Sequence, residues 1–474
     1  MFYNTYCTKS ATKIGILCVW RGLYCTLALI ALLWAGSLAA ATANTAPANT
    51  LSLTTVIERV QLQHPSLKVF QFRQQALDGA AHTQALTPGY EIGFDLDNVA
   101  GSGEFQGIDS AEFSVSLSSV IELGDKLDAR TGVVNEQRAV LDAEQKITAL
   151  NLLAEATRRY IDVLAAQSQL QLAVDALQLA EETQVVVAKR AKAGVTPDAE
   201  VKRAQAAVFN ARLVAETQLH QLDYAKLALS MMWGESQISF DSLEGGLFAF
   251  TDDVALEPLF EKVKYSPAIT AYLTQAQLKE AELRFAKTQS SSDISWSVGV
   301  KQLQQTNDMA LSAGFSMPLF NGERNTGTVL SAQAAKEQVL VNREVALLEL
   351  YGQLYRAYAS RKQAIVTVNR LQASVIPTLT SALEDTKQAY EQGLYSYLDY
   401  LTAREELLFA RRALIDAAAS ALRYGVDIEQ LIAEPLPASQ HTFFNDFSNA
   451  ANSSATADFS KSANFSDAAK GHTK

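Results

Sequence analysis

Residues 90–97 read Tyr-Glu-Ile-Gly-Phe-Asp-Leu-Asp, and residues 112–119 read Glu-Phe-Ser-Val-Ser-Leu-Ser-Ser. Tyr90, Ile92, Phe94 and Leu96 alternate with Glu91, Gly93, Asp95 and Asp97; Phe113, Val115 and Leu117 alternate with Ser114, Ser116 and Ser118. Strict period-two patterning gives each strand one apolar and one polar face. The Gly-, Ser- and acid-rich residues 99–110 between them read as a hairpin loop. At Glu122-Leu123-Gly124-Asp125-Lys126 the pattern turns helical. The segment is a two-stranded ribbon of roughly ten residues per strand, about the length of a tilted membrane-spanning strand.

The pattern recurs. Ile294, Trp296, Val298 and Val300 alternate with Ser295, Ser297, Gly299 and Lys301, and Leu311, Ala313, Phe315, Met317 and Leu319 follow the same rule. Asn321-Gly322-Glu323-Arg324 leads that second hairpin into another long helix. Alternation alone also fits ordinary hairpins of a soluble α+β protein, so the flanking chain must decide.

The flanks are helical and duplicated. A helix interrupted at His64-Pro65 precedes the first hairpin, and one interrupted at Ser266-Pro267 precedes the second. Residues 125–193 contain no proline, and Ile147, Leu150, Ala154, Ile161 and Leu164 recur at coiled-coil spacing. Such a helix is about 100 Å long. Gly194-Val195-Thr196-Pro197-Asp198 ends it, with Thr196 or Asp198 available to cap the next helix; Gly393 marks the matching turn. Pro377 predicts a kink in the second long helix. Pro65 and Pro267, Phe113 and Phe315, and Gly194 and Gly393 each lie about 200 residues apart, the mark of a tandem duplication.

The expected organisation is residues 1–43 as signal peptide, 44–234 as first repeat with its hairpin at 90–119, and 235–255 as an equatorial segment. Residues 256–432 form the second repeat with its hairpin at 293–320, and 433–474 a disordered tail. Lys9, Lys13 and Arg21 precede an apolar run ending near Leu38, and Ala41-Thr42-Ala43 reads as a cleavage site. Cys7, Cys18 and Cys25, the only cysteines, lie in that leader, so the mature chain has no thiol or disulfide; Gly22-Leu23-Tyr24 is a poor lipidation context for Cys25. The tail from Ser439 lacks periodicity and is expected to be dispensable.

The 474 residues carry a net charge of −11, which argues against non-specific nucleic-acid binding. No later stretch reaches ~18 uninterrupted apolar residues, so a membrane helix is not expected in the mature chain. Four strands are too few to close a membrane barrel, which takes about eight, and lipid excludes open edges. The barrel must be shared between chains. The fold expected is mainly α with a small β part, an obligate oligomer whose strands form one barrel continued by its helices.

These features together resemble the TolC family of outer-membrane efflux channels, over about residues 50–432. The run Leu96-Asp97-Asn98-Val99-Ala100-Gly101-Ser102-Gly103, with Ser110-Ala111-Glu112 and Ile121-Glu122-Leu123-Gly124, resembles the CzcC-like branch serving heavy-metal cation efflux. Trp233-Gly234, Leu243-Glu244-Gly245 and Leu247-Phe248-Ala249 resemble its equatorial region. Asp125 departs from the pattern, since many relatives carry a second glycine there. The resemblance implies a homotrimer in the outer membrane of a Gram-negative bacterium, with a twelve-stranded barrel in lipid and a periplasmic helical tunnel. It also implies a periplasmic adaptor and an inner-membrane resistance-nodulation-division pump as partners. A similar duct for drugs or type I secretion is the alternative, and a soluble periplasmic coiled-coil scaffold a third.

By the same resemblance Asp399 is a periplasmic gate acid and Tyr390 a tyrosine tying the tip helices together. Glu200 is acidic where relatives have an aspartate. Tyr395 and Thr402 replace a tip arginine and a second gate aspartate, so one carboxylate ring is expected; such a ring favours cations. The alternative reading of Asp399 is a solvated acid at a helix start. Gly194, Val195 and Thr196 with Gly393, Leu394 and Tyr395 are the expected adaptor-docking tips, or plain helix turns. Glu91, Asp95 and Asp97 face the lumen if the apolar strand face meets lipid. His64, His82, His220, His441 and His472 are scattered, and Met309 and Met317 form no motif. No metal site, cofactor or catalytic arrangement is expected.

Overall fold

The structure is a computed structural model, and it describes residues 50–250, 254–319 and 321–436. The expected signal peptide with its three cysteines and the tail from Ser439 lie outside the described residues, as do His441 and His472.

The chain runs β1 (Thr50–Leu51), α1 (Leu53–Gln63), α2 (Pro65–Gln84), β2 (Glu91–Asp97), β3 (Glu112–Ile121), α3 (Lys126–Lys192) and α4 (Asp198–Ser230). It continues β4 (Ser242–Leu243), α5 (Leu256–Val263), α6 (Pro267–Thr288), β5 (Ile294–Leu303), β6 (Asp308–Ser316), α7 (Asn321–Arg370), α8 (Ile376–Glu391) and α9 (Tyr397–Ile432). The order helix, hairpin, long helix, tip, helix therefore occurs twice. At 67 residues α3 extends about 100 Å. Both α4 and α6 pack along it, as do α2 and α9, while α7 packs against α6 and α9.

Pro65 and Pro267 each stand in the first turn of a helix, where the missing N–H has no intrahelical acceptor to lose. Pro377 acts differently. Its ring would press on the carbonyl four residues back, and the helix instead widens into a π turn over Leu371–Val375, where the Ile376 N–H donates to the Leu371 carbonyl. The expected kink is thus a local change of helix type just upstream of the proline.

The four long strands form one antiparallel sheet in the order β2-β3-β5-β6. Its register puts Ile92 opposite Leu117 and Phe94 opposite Val115; Leu117 in turn faces Val298, and Val298 faces Ala313. One face is thereby apolar, and it is bare: Phe94 is 69 %, Leu311 86 % and Phe315 85 % exposed. β2 is shorter than expected at seven residues; Tyr90 falls just outside it, its ring edge-on to Trp296 at 6.3 Å. β6 ends at Ser316, so Met317 and Leu319 lie beyond the ladder. β2 and β6 are both unpaired edges.

The sheet is fastened to the helices at its base. Lys126 Nζ reaches both oxygens of Asp293 at 2.7 and 2.8 Å, and the Leu123 N–H donates to the same carboxylate. Arg130 binds Glu122 and the carbonyls of Gln84 and Leu86. Gly124 and Asp125 both adopt positive φ, +76° and +57°. A Cβ on Gly124 would also strike Ser291, whereas Asp125 is a type that tolerates the left-handed region. That conformation explains how an aspartate serves where a second glycine is common in the resembling family.

The largest core lies midway along the helices. Val56, Ile57, Val60, Val163, Leu164, Trp233, Phe240 and Leu243 are buried there, and β1 pairs with β4 beside them. Tyr160 reaches across to donate to the carbonyls of Leu51 and Glu244, and burial pushes its phenol pKa up. Below this core α3 and α9 run antiparallel in a fixed register. Arg158 pairs with Asp427 at 2.8 Å, Asp162 with Arg423 at 2.6 Å, and Gln169 with Asp416 at 2.9 Å. The next contact in that register, Thr183 to Tyr400, opens the tip region.

Candidate functional site

Two helix reversals lie side by side at the end remote from the sheet. Each ends its helix in the same way. The Val195 N–H donates to the Arg190 carbonyl and the Gly194 N–H to Ala191; the Leu394 N–H donates to Ala389 and the Gly393 N–H to Tyr390. These are Schellman ends, with Gly194 at φ +75° and Gly393 at +83° in the left-handed position glycine favours. Val195, Leu394 and Tyr395 are pushed outward, 62 %, 72 % and 53 % exposed.

The returning helices start differently. Ser396 caps α9 in a capping box: its Oγ accepts from the Asp399 N–H, and Asp399 Oδ2 accepts from the Ser396 N–H at 3.0 Å and Oγ at 2.7 Å. Those hydrogen bonds hold the Asp399 carboxyl below the usual range, and the side chain is fully exposed. At the first tip the expected cap by Thr196 or Asp198 does not form. Pro197 occupies the N-cap position without a side-chain bond, because Thr196 is turned toward Arg190, whose Nε donates to its Oγ1 at 3.3 Å.

Tyr390 is the centre of the cluster. It is 2 % exposed, stacks on Tyr400 at 5.9 Å and lies 6.2 Å from Tyr397. Its hydroxyl donates to Glu200 Oε2 at 3.4 Å. The Arg190 guanidinium lies 4.5 Å from the Tyr390 ring centroid and donates to the carbonyls of Tyr390 and Glu391. Residues of α3, α4, α8 and α9 are therefore joined through one tyrosine. Burial is the first cause of a raised phenol pKa at both Tyr390 and Tyr397.

The structure brings Tyr390, Glu200 and Thr196 together. It leaves Asp399 in contact only with its own helix cap among the described residues. Arg190, Tyr397 and Tyr400 complete the cluster and were not singled out by sequence. Arg190 is one of three bases in the last turn of α3, all favoured by the helix dipole, and nothing in the chain separates it from Lys189 and Lys192.

At the other end, Glu91, Asp95 and Asp97 share the polar face of the sheet, opposite Ser118, Ser114 and Glu112. Lys301 joins them there, 2.5 Å from Glu112 and 3.9 Å from Asp97. Among the described residues no group of three or more metal-capable side chains is assembled, and no helix is long and apolar enough to cross a membrane.

Comparison with known proteins gives this geometry its family. The family model described as outer membrane efflux protein matches residues 56–235 and 266–434, once per repeat. The cobalt-zinc-cadmium resistance protein CzcC of Cupriavidus metallidurans is 24 % identical over 323 residues, 67 % of this chain and 76 % of that protein. The cation efflux system protein CusC of Escherichia coli K12 is 21 % identical over 343 residues, 67 % of this chain and 74 % of that one. Among solved structures, the outer membrane protein VceC of Vibrio cholerae superposes with a TM-score of 0.66 at 18 % identity, covering 81 % of this chain and 96 % of that one. With both repeats matched, the chain belongs to the outer membrane efflux protein family.

Proposed function

We propose that this chain is the outer-membrane duct of a tripartite efflux system whose cargo is divalent heavy-metal cations. The observation that carries the duct reading is the four-stranded sheet, with a bare apolar face and two edges unpaired among the described residues, mounted on long helices of which α3 extends about 100 Å. Backbone groups at such edges are satisfied in lipid only by closure with further copies. Three copies give twelve strands, an even antiparallel cylinder. The apolar faces then meet lipid, and Glu91, Asp95 and Asp97 face the water-filled interior. The helices continue the passage through the periplasm toward an adaptor protein and an inner-membrane resistance-nodulation-division pump.

The tips serve as gate and docking surface in this reading. Asp399 supplies the one carboxylate ring of the gate, and Tyr390, bonded to Glu200, holds the helix pairs closed. Gly194, Val195, Thr196, Gly393, Leu394 and Tyr395 present the surface an adaptor covers. The cargo assignment is supported by the similarity to CzcC and CusC, whose names refer to cobalt, zinc and cadmium resistance and to cation efflux.

The test is transport. Cells lacking the gene should accumulate zinc, cadmium or cobalt and lose tolerance to it, and the intact gene should restore both. Because parallel ducts can mask a deletion, the decisive version reconstitutes the chain with its pump and adaptor and follows metal flux. Flux of organic drugs without metal flux would replace the cargo assignment and leave the duct in place.

A further inference from the structure

Every charged residue in the four long strands lies on one face of the sheet. The acids are Glu91, Asp95, Asp97, Glu112 and Asp308, and Lys301 is the one base. All but Glu91 cluster at the hairpin-loop end: Asp97 faces Glu112, Glu112 faces Leu303, and Leu303 faces Asp308, with Asp95 and Lys301 two residues inward. Toward the helices the same face carries only small side chains between that cluster and Glu91, such as Gly93, Ser116, Gly299 and Ser312. A Cβ at Gly299 would come within 2.7 Å of the Val115 carbonyl, so the flatness of that zone is imposed by strand packing. Ions crossing such a face meet fixed charge at its loop end.

Lys301 changes what they meet. Its Nζ lies 2.5 Å from Glu112 Oε2 and 3.9 Å from Asp97 Oδ2, while Asn98 Nδ2 donates to the other Glu112 oxygen at 3.0 Å. Both Glu112 oxygens are engaged, and its side chain is only 23 % exposed against 57 % for Asp97. The lysine spans the junction between the repeats, from β5 to the acids of β3 and β2.

We propose that Lys301 is a specificity-determining residue of the duct. It sets how strongly the outer mouth prefers cations by neutralising Glu112 and part of Asp97. This rests on the duct reading, since it requires the polar face to line the pore. A bare ring of all these acids would hold a cation strongly and slow its exit, and a conducting path needs sites weak enough to leave. One internal ammonium per copy moderates the ring.

The experiment is reversal potential in a planar bilayer under a potassium chloride gradient. Lys301→Gln should raise the K⁺/Cl⁻ permeability ratio, by roughly fivefold at low salt for a unit charge about 4 Å away in water. Glu112→Gln should lower it, because the ammonium is then partly freed, and Lys301→Arg should match the parent. The shifts should shrink in 1 M salt, where the screening length is about 3 Å. A lysine that merely staples β3 to β5 predicts that Lys301→Gln and Glu112→Gln move the ratio in the same direction or not at all, and either result overturns the proposal. If Lys301→Gln does not assemble, Glu112→Gln still reads the cluster, and an unmoved or raised ratio there overturns it. A parent protein that forms no pore overturns the duct reading as well, so the two failures are distinguishable.

Discussion

Tyr390 and Asp399 lie nine residues apart across one turn, yet they occupy opposite physical situations. Tyr390 is enclosed by rings and a guanidinium, so its contacts hold the four tip helices in one arrangement. Removing the hydroxyl alone, in Tyr390→Phe, deletes its long bond to Glu200 and its bond with Thr196 and should raise resting conductance slightly. Arg190→Ala deletes a cation–π contact and the bonds to two carbonyls and Thr196 at once, and should raise it much more. Single-channel recording checks the order; equal effects would show that Arg190 is not the principal tie. Asp399 is solvated, and its carboxyl is held low by the Ser396 bonds. A depressed folded pKa means that its contribution to the α9 cap is present above the ordinary value of 3.8 and is lost as pH falls through the lowered one. The protection factor of the Asp399 and Tyr400 amides, exchange measured relative to the intrinsic rate at each pH, should therefore fall below about pH 4 in the parent, and that step should be missing at Tyr400 in Asp399→Ala. Ser396→Ala should cost about 1 kcal/mol of local stability at neutral pH. The position of Asp399, six residues past a helix-ending glycine, was legible from the chain. The role of Arg190 was not, because the ring and the two carbonyls it ties down come from a helix about 200 residues away.

Helix ends, strand faces and turns are where local chemistry spoke most clearly. Gly194 and Gly393 stop their helices by the same pair of backbone bonds, and the two hairpins keep the alternation that the side chains set. What the chain concealed were competitions between local options. Thr196 is an adequate helix cap, but a guanidinium across the tip takes its hydroxyl. Pro377 announces a disturbed helix, but whether the backbone bends or widens depends on what packs on each side; here it widens over five largely exposed residues. The glycines give a direct test at this scale. A Cβ at Gly194 meets nothing within 4 Å, and at Gly393 only the far end of Arg190 at 3.8 Å, so alanine at either position suffers backbone strain without a clash. Each substitution should destabilise its tip by about 1 kcal/mol and leave the sheet untouched. Gly299→Ala is the contrasting case, since its Cβ collides with strand backbone and should impair folding of the sheet itself. Comparing tip exchange with heat-resistance of the assembled protein separates the two; a Gly299→Ala protein with normal sheet assembly would show that the strands can part there.

At the scale of the molecule, the duplication explains why one chain is not a finished object. Each repeat supplies two strands, and the pair makes a sheet that alternates in direction from β2 to β6. With an even number of alternating strands, the β6 edge of one copy meets the β2 edge of the next antiparallel, so the ladder continues without a special joint. This seam is expected to close with three copies. Mass measurement in mild detergent should give three chains, and a stable monomer would overturn the assembly. A sharper test uses the absence of cysteine after Cys25. Single cysteines placed along β2, between Glu91 and Asp97, are combined with single cysteines along β6, between Asp308 and Ser316, in steps of two residues so that partners share a face. One staggered set of pairs should cross-link between chains, and sliding both positions by two in opposite directions should preserve the link, as antiparallel register demands. Links at every combination would indicate mobile edges with no fixed ladder, and links at none would show that β2 and β6 do not meet. The same single cysteines, left unlinked, report the lining: those replacing Phe94 or Phe315 should be reached by lipid-soluble thiol reagents, and those replacing Asp95 or Ser312 by water-soluble ones. A reversal of that accessibility would place the acids outside the passage and remove the basis for a cation-selective mouth.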